Sequence, residues 1–144
     1  MGTTLVAAVM DEERTFVLNV GDSRAYKISR GHISQVTHDH SLVQDMVDRG
    51  ELTPEEARVH PRRNVITRVL GVDERVPCDL FAPKLIRGDR LLLCSDGLTN
   101  MLEDKEILEK ARENRDPLSL GKALMDEALA RGARDNVTVV VISK

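Results

Sequence analysis

The chain has 144 residues, 41% hydrophobic and 31% charged, the balance of one globular domain rather than of a disordered or membrane-spanning chain. Its 21 Lys and Arg against 24 Asp and Glu leave a net charge of −3, which excludes nucleic-acid binding through a broad basic face. Aromatic residues amount to 2% with no Trp, so stacking platforms are lacking and the core has to be built from Val, Ile, Leu and Met.

Residues 3–10 are small and β-branched, residues 11–14 are a polar break, and residues 15–20 resume an apolar run. That pattern predicts a β-hairpin. Gly21-Asp22-Ser23 is turn chemistry, residues 24–28 alternate as a half-buried strand does, residues 29–32 turn again, and residues 33–36 form a short strand. The first third therefore reads as an antiparallel meander.

The next stretch is helical. Ser41 can cap a helix carrying Leu42, Val43, Met46 and Val47 on one face, closed by Arg49 with Gly50 as the residue beyond the cap. Thr53-Pro54-Glu55-Glu56 is a capping box with Pro at the first helical position, and His60-Pro61 ends that second helix. Strands return over residues 78–85 and 90–94, the latter apolar enough to be buried on both faces. Helices follow over residues 104–114 and 117–130, the second capped by Asp116. Their stripes are Ile107, Leu108 and Ala111, then Leu120, Leu124, Ala128 and Leu129. Residues 137–142 supply a closing strand, Met46, Met101 and Met125 read as core, and the whole is α+β.

Cys78 and Cys94 show no metal-binding spacing and read as reduced thiols, with Cys94 a buried apolar residue. No basic-then-apolar leader opens the sequence and no apolar run nears the ~20 residues of a membrane span, so a cytoplasmic location without membrane attachment is expected.

Three acidic residues share one context: Asp22, Asp96 and Asp135 each lie in a polar loop beside an apolar strand. Carboxylates there are costly unless paired or bound to a cation, and a set of Asp without His or Cys suits Mg²⁺ or Mn²⁺ better than zinc. Each Asp taken alone reads more readily as organising its own turn. His38-Asp39-His40 could be part of a metal site but reads better as a solvated loop, since no third ligand is suggested nearby. Arg58, His60, Arg62, Arg63 and Arg68 form a local basic cluster that could attract a phosphate or an acidic segment, or simply be a solvated face.

Six motifs then occur in register: Met1-Gly2-Thr3-Thr4, residues 20–26 (VGDSRAY), residues 37–43 (THDHSLV), residues 60–68 (HPRRNVITR), residues 94–98 (CSDGL) and residues 134–138 (RDNVT). Together they resemble the bacterial metal-dependent protein serine/threonine phosphatases of the PPM, or type 2C, family. The resemblance implies an α-β-β-α sandwich, two antiparallel sheets flanked by helices, with a helical flap at about residues 39–70. It also implies hydrolysis of phosphoserine and phosphothreonine in proteins through attack by a metal-bridged hydroxide. Two, or with a third site three, Mn²⁺ or Mg²⁺ ions would be held. By position Asp96 and Asp135 resemble ligands of the catalytic metal pair, and Asp22 resembles a ligand of the third metal. His60, Arg62 and Arg63 fall in the flap beside the substrate phosphoprotein. No catalytic residue beyond the metal ligands is carried over.

The family's earlier segment, with its phosphate-binding Arg and the Asp that bridges both metals, has no counterpart in these residues. The expectation is a single, N-terminally incomplete phosphatase domain over residues 1–144, inactive alone and open to self-association through exposed strands. The alternative is a non-catalytic, phosphatase-like binding or regulatory domain.

Overall fold

The computed structural model describes all 144 residues, Met1–Lys144. Strands β1 (Leu5–Met10) and β2 (Thr15–Val20) form the expected hairpin. Its turn is held by Asp11, whose carboxylate accepts the N–H groups of Glu13 (2.8 Å) and Arg14 (2.6 Å). The meander stops there. After Gly21-Asp22-Ser23 the chain crosses to a second sheet, where β3 (Arg24–Ser29) pairs with β4 (His32–Gln35).

Two antiparallel sheets result. The first has the order β1-β2-β5, where β5 is Asp79–Phe81; the second runs β4-β3-β6-β7, where β6 is Arg90–Cys94 and β7 is Val139–Ser143. The strand expected over residues 78–85 is thus three residues long: Cys78 is exposed and Leu85 reaches the core from a loop. The closing strand begins two residues late, because the backbone of Thr138 is engaged by Ser95 rather than by a ladder partner.

β6 carries the packing. Leu91 and Leu93 face Val17, Ala25, Leu85 and Phe81 between the sheets, while Leu92 and Cys94 face the opposite way. There they meet Tyr26, Ile28, Leu98, Leu102, Ile107, Leu120 and Leu124, under helices α3 (Asp96–Thr99), α4 (Asp104–Glu113) and α5 (Pro117–Ala130). Each fully buried Leu contributes about 1.5–3 kcal/mol through loss of apolar surface to water. On the first sheet the strand period turns Leu5, Val9 and Leu80 away from this core, and they remain exposed at 39%, 70% and 65%.

The helix ends follow the sequence signals. Ser41 caps α1 (Leu42–Asp48) by accepting the Gln44 N–H, Gly50 follows the cap at φ +75°, and Thr53 with Glu56 closes a capping box on α2 (Pro54–Val59). Asp116 caps α5 through Ser119, and Glu103 with Glu106 makes a further capping box on α4. Leu129 departs from the expected stripe of α5: it is 60% exposed while Leu120, Leu124 and Ala128 are fully buried. Met101 packs against the core, and Met46 and Met125 are half-buried. No helix is long and apolar enough to cross a membrane.

Candidate metal centre

The Asp22 loop is built by Gly21. It sits at φ +112°, and a Cβ there would run into the side chain of Thr4, so only Gly suits the position. Its N–H donates to His40 Nδ1 (3.0 Å), and its carbonyl accepts from the His40 N–H (3.0 Å) and from Asn19 Nδ2 (3.2 Å). With Nδ1 accepting, the His40 ring donates through Nε2 to Asp79 Oδ2 (2.8 Å), and Asp79 Oδ1 accepts from Arg68 Nη1 (3.2 Å). The loop after β2, the strand β5 and the foot of the α1–α2 excursion are thereby fastened together. The excursion is tied at its base by Leu42 N–H to the Val65 carbonyl (3.0 Å) and Thr67 N–H to the His40 carbonyl (2.9 Å).

This corrects the expectation of a solvated loop at His38-Asp39-His40. Only His38 is exposed, against Asp48 (2.7 Å), whereas Asp39 and His40 are buried. Asp39 Oδ1 accepts from Arg24 Nε (2.9 Å) and Gln35 Nε2 (2.9 Å), and Oδ2 accepts from Arg24 Nη2 (2.6 Å). Burial works against the Arg24 charge, but Asp39 and Tyr26 outweigh it and hold the guanidinium above its ordinary pKa.

The Asp96 loop is built by its neighbours. Ser95 N–H donates to the Thr138 carbonyl (3.1 Å), and the Thr138 N–H donates to Ser95 Oγ (3.0 Å). The Ser95 hydroxyl in turn donates to the Asn136 carbonyl (3.3 Å). Gly97 lies so close to Asn136 that a Cβ would overlap its carbonyl group. Ser95 and Gly97 thus press one loop against the other and leave Asp96 beside Asp135.

The electrostatics record that proximity. Burial, then the Asp96 and Asp39 charges, push the Asp22 carboxyl up to about 6. Burial, then Asp135, raise Asp96. Neither Asp22 nor Asp96 is ion-paired, although cationic side chains stand nearby. Both line a cavity of about 420 Å³ between α1–α2 and α3–α4, together with Arg24, Asp39, Arg58 and Arg63.

Of the three expected ligands, Asp22 and Asp96 share the cavity and Asp96 feels the charge of Asp135. They do not form a cage: no three His, Cys, Asp or Glu groups of the chain come within reach of one ion. Asp135 is exposed, lies outside the cavity, and accepts the Asn136 N–H (2.7 Å). Asp22 and Asp96, partly buried and outside any ion pair, are oxygen donors of the kind a hard divalent cation takes, so they fit such an ion as part of its shell.

The basic cluster separates by partner. Arg58 faces Glu103 (3.8 Å) and Arg68 faces Asp79, so both are neutralised within the chain. Arg62 and Arg63 have no acidic partner and are exposed; Arg63 borders the cavity, His60 and Arg62 do not. His60 accepts the Arg62 N–H on Nδ1 (3.1 Å) and ends α2. Sequence reasoning missed Arg24, Tyr26 and Gln35 around Asp39, and the pairing of His40 with Asp79. The i, i+2 placement of Arg24 and Tyr26 on one strand face was the signal for the first group.

Comparison with known proteins agrees with this architecture. The family model described as protein phosphatase 2C matches residues 1–131, and the chain belongs to that family. The serine/threonine phosphatase stp of Listeria monocytogenes is 41% identical over 144 residues, covering all of this chain and 57% of the relative. The crystal structure of serine/threonine phosphatase Stp1 from Staphylococcus aureus superposes with a TM-score of 0.96 at 46% identity, covering 100% of this chain and 57% of that one. The catalytic domain of PstP, solved in complex with 2 manganese ions, superposes with a TM-score of 0.83 at 39% identity, covering 98% of this chain and 58% of that one. The chain thus spans a little over half the length of these relatives.

Proposed function

We propose that these residues form part of a metal-dependent phosphatase that hydrolyses phosphoserine and phosphothreonine in proteins, with Asp22, Asp96 and Asp135 contributing to its metal shell. The observation that carries this reading is the clasp of Ser95 and Gly97 on the Asn136–Thr138 segment, which holds Asp96 near the like charge of Asp135 with neither carboxylate in an ion pair. Such a placement is unfavourable unless a cation completes it. Support also comes from the family membership and from the manganese ions of the PstP relative.

Divalent cations, Mn²⁺ or Mg²⁺, would supply an acidified water as nucleophile and neutralise charge gathering on the phosphoryl oxygens. The chain's own residues have narrower tasks. Asp96 and Asp22 present carboxylate oxygens on the cavity wall, Asp135 approaches Asp96 from the neighbouring loop, and Gly21 and His40 fix the direction of the Asp22 loop. Arg63, with Arg62 and His60 behind it on the flap formed by α1 and α2, offers unneutralised donors to a phosphoprotein at the cavity mouth.

The incomplete grouping of Asp22, Asp96 and Asp135 also supports little or no turnover by the 144 residues alone, since a complete shell needs ligands from elsewhere in the domain. Exposed Leu5, Val9 and Leu80 on the outer face of the first sheet are in keeping with cover supplied by the rest of that domain. The test is Mn²⁺-dependent hydrolysis of p-nitrophenyl phosphate and a phosphothreonine peptide. It compares the chain alone with the chain joined to the remaining portion of a relative's phosphatase domain. Turnover confined to the joined protein supports both statements. Robust turnover by the chain alone overturns the second, and an inert, folded joined protein overturns the first.

A further inference from the structure

Arg24 stands where it could cancel the proposed metal site. It opens β3 two residues after Asp22, and its backbone pairs in register with Cys94, two residues before Asp96. It lines the same cavity as both carboxylates, and its positive charge is felt at both. An arginine sharing a cavity with two unpaired carboxylates ordinarily takes one of them as a bidentate partner. Arg24 takes neither. Its Nε and Nη2 go to Asp39 (2.9, 3.0 and 2.6 Å), its Nη1 donates to the Tyr26 hydroxyl (2.9 Å), and that hydroxyl donates to Asp104 Oδ1 (2.9 Å). Asp39 is itself braced by Gln35 and is 7% exposed, and Tyr26 is fully buried.

We propose that Asp39 is a positioning residue that parks Arg24, keeping the guanidinium off Asp22 and Asp96 so that both carboxylates stay open to divalent cations. The inference rests on the metal reading of Asp22 and Asp96. It differs from a fold-supporting ion pair in the sign of its consequences, and from the through-space effect of the two charges in where Arg24 goes when Asp39 is lost. If the Arg24–Asp39 pair only supported the fold, losing either partner would loosen the site and weaken metal binding. If Asp39 parks Arg24, losing Asp39 releases a competitor for the carboxylates, while losing Arg24 removes that competitor. The two single variants therefore move metal affinity in opposite directions, and the double variant undoes the harm of the first.

The experiment uses the joined protein and its Asp39→Asn, Arg24→Gln and doubly substituted forms. Mn²⁺ binding is followed by the electron paramagnetic resonance of the free ion, and circular dichroism confirms folding. The expected results are roughly tenfold weaker Mn²⁺ binding in Asp39→Asn, a factor equal to about 1.4 kcal/mol, unchanged or tighter binding in Arg24→Gln, and recovery in the double variant. A crystal structure of Asp39→Asn is expected to show Arg24 turned onto Asp22 or Asp96. Weaker binding in a folded Arg24→Gln chain overturns the proposal, as does an Asp39→Asn structure with Arg24 still on residue 39. Should Asp39→Asn fail to fold, Arg24→Gln decides by the sign of its effect. Absence of Mn²⁺ binding by the unsubstituted joined protein counts against the metal reading instead, and the position of Arg24 in Asp39→Asn still decides whether Asp39 parks it.

Discussion

Gly97 and Asn136 touch backbone to backbone: there is no room for a single methyl group between the Gly97 Cα and the Asn136 carbonyl. Gly97 lies at a negative φ, so its role is close approach rather than a special turn. The contact fixes how near Asp96 comes to Asp135. Gly97→Ala is expected to push the loops apart and to cost about 1–3 kcal/mol, the range for overpacking a tight site. Urea unfolding measures the loss. The same substitution should weaken Mn²⁺ binding in the joined protein, whereas Gly50→Ala, which meets no atom within 4 Å, should leave metal binding unchanged.

Asp22 predicts a pH dependence of stability in the absence of metal. Its folded-state pKa is raised from 3.8 to about 6, first by burial and then by Asp96 and Asp39. The folded chain therefore holds this proton more tightly than the unfolded chain, and stability falls as pH rises through that window. Asp22→Asn is expected to flatten this slope and to raise the thermal midpoint at pH 7 in EDTA. A melting series from pH 4 to pH 7 on both proteins checks it; parallel curves contradict it.

His40 is buried with both ring nitrogens engaged, one accepting from Gly21 and one donating to Asp79. His40→Ala leaves the Gly21 N–H without a partner and is expected to cost about 1–3 kcal/mol, read by urea unfolding. Asp79 itself is held below its ordinary value, first by the hydrogen bond from His40, with Arg68 adding to it. A depressed carboxylate contributes stability that is present above its ordinary pKa of 3.8 and lost as pH falls below it. Asp79→Asn should therefore be less destabilising at pH 3 than at pH 7.

Arg63 is the cavity-lining arginine of the flap left without an acidic partner. In the joined protein Arg63→Ala is expected to raise KM for a phosphoprotein several-fold with kcat nearly unchanged. Hydrolysis of p-nitrophenyl phosphate, which does not reach the flap, should hardly change. Steady-state kinetics on both substrates tests this, and equal effects on the two would place Arg63 at the reacting group instead.

The sequence was most legible where one residue type answers one local requirement. Ser41, Thr53, Pro54 and Asp116 mark helix starts because a backbone N–H at each start needs an acceptor, or none. The apolar run of β6 marks a strand buried on both faces because only such a strand needs no polar side. What stayed hidden depends on residues far apart in the chain. Gly21-Asp22-Ser23 looks like a hairpin turn, and only the pairing of β3 with β6 shows that it changes sheets. Asp39 and His40 look like solvated polar residues, and only Arg24 and Asp79 reveal why their burial is tolerated. For the site, the sequence named Asp22, Asp96 and Asp135 but could not show that Asp22 and Asp96 share a cavity while Asp135 lies outside it.

Whether Asp22, Asp96 and Asp135 hold divalent cations is decided by Mn²⁺ titration of the joined protein with and without Asp96→Asn. Asp96 touches both other carboxylates electrostatically, so its neutralisation should be the most damaging single change. A loss of Mn²⁺ affinity of at least about tenfold is expected, with the circular dichroism spectrum intact. Undiminished Mn²⁺ binding by a folded Asp96→Asn protein would contradict it.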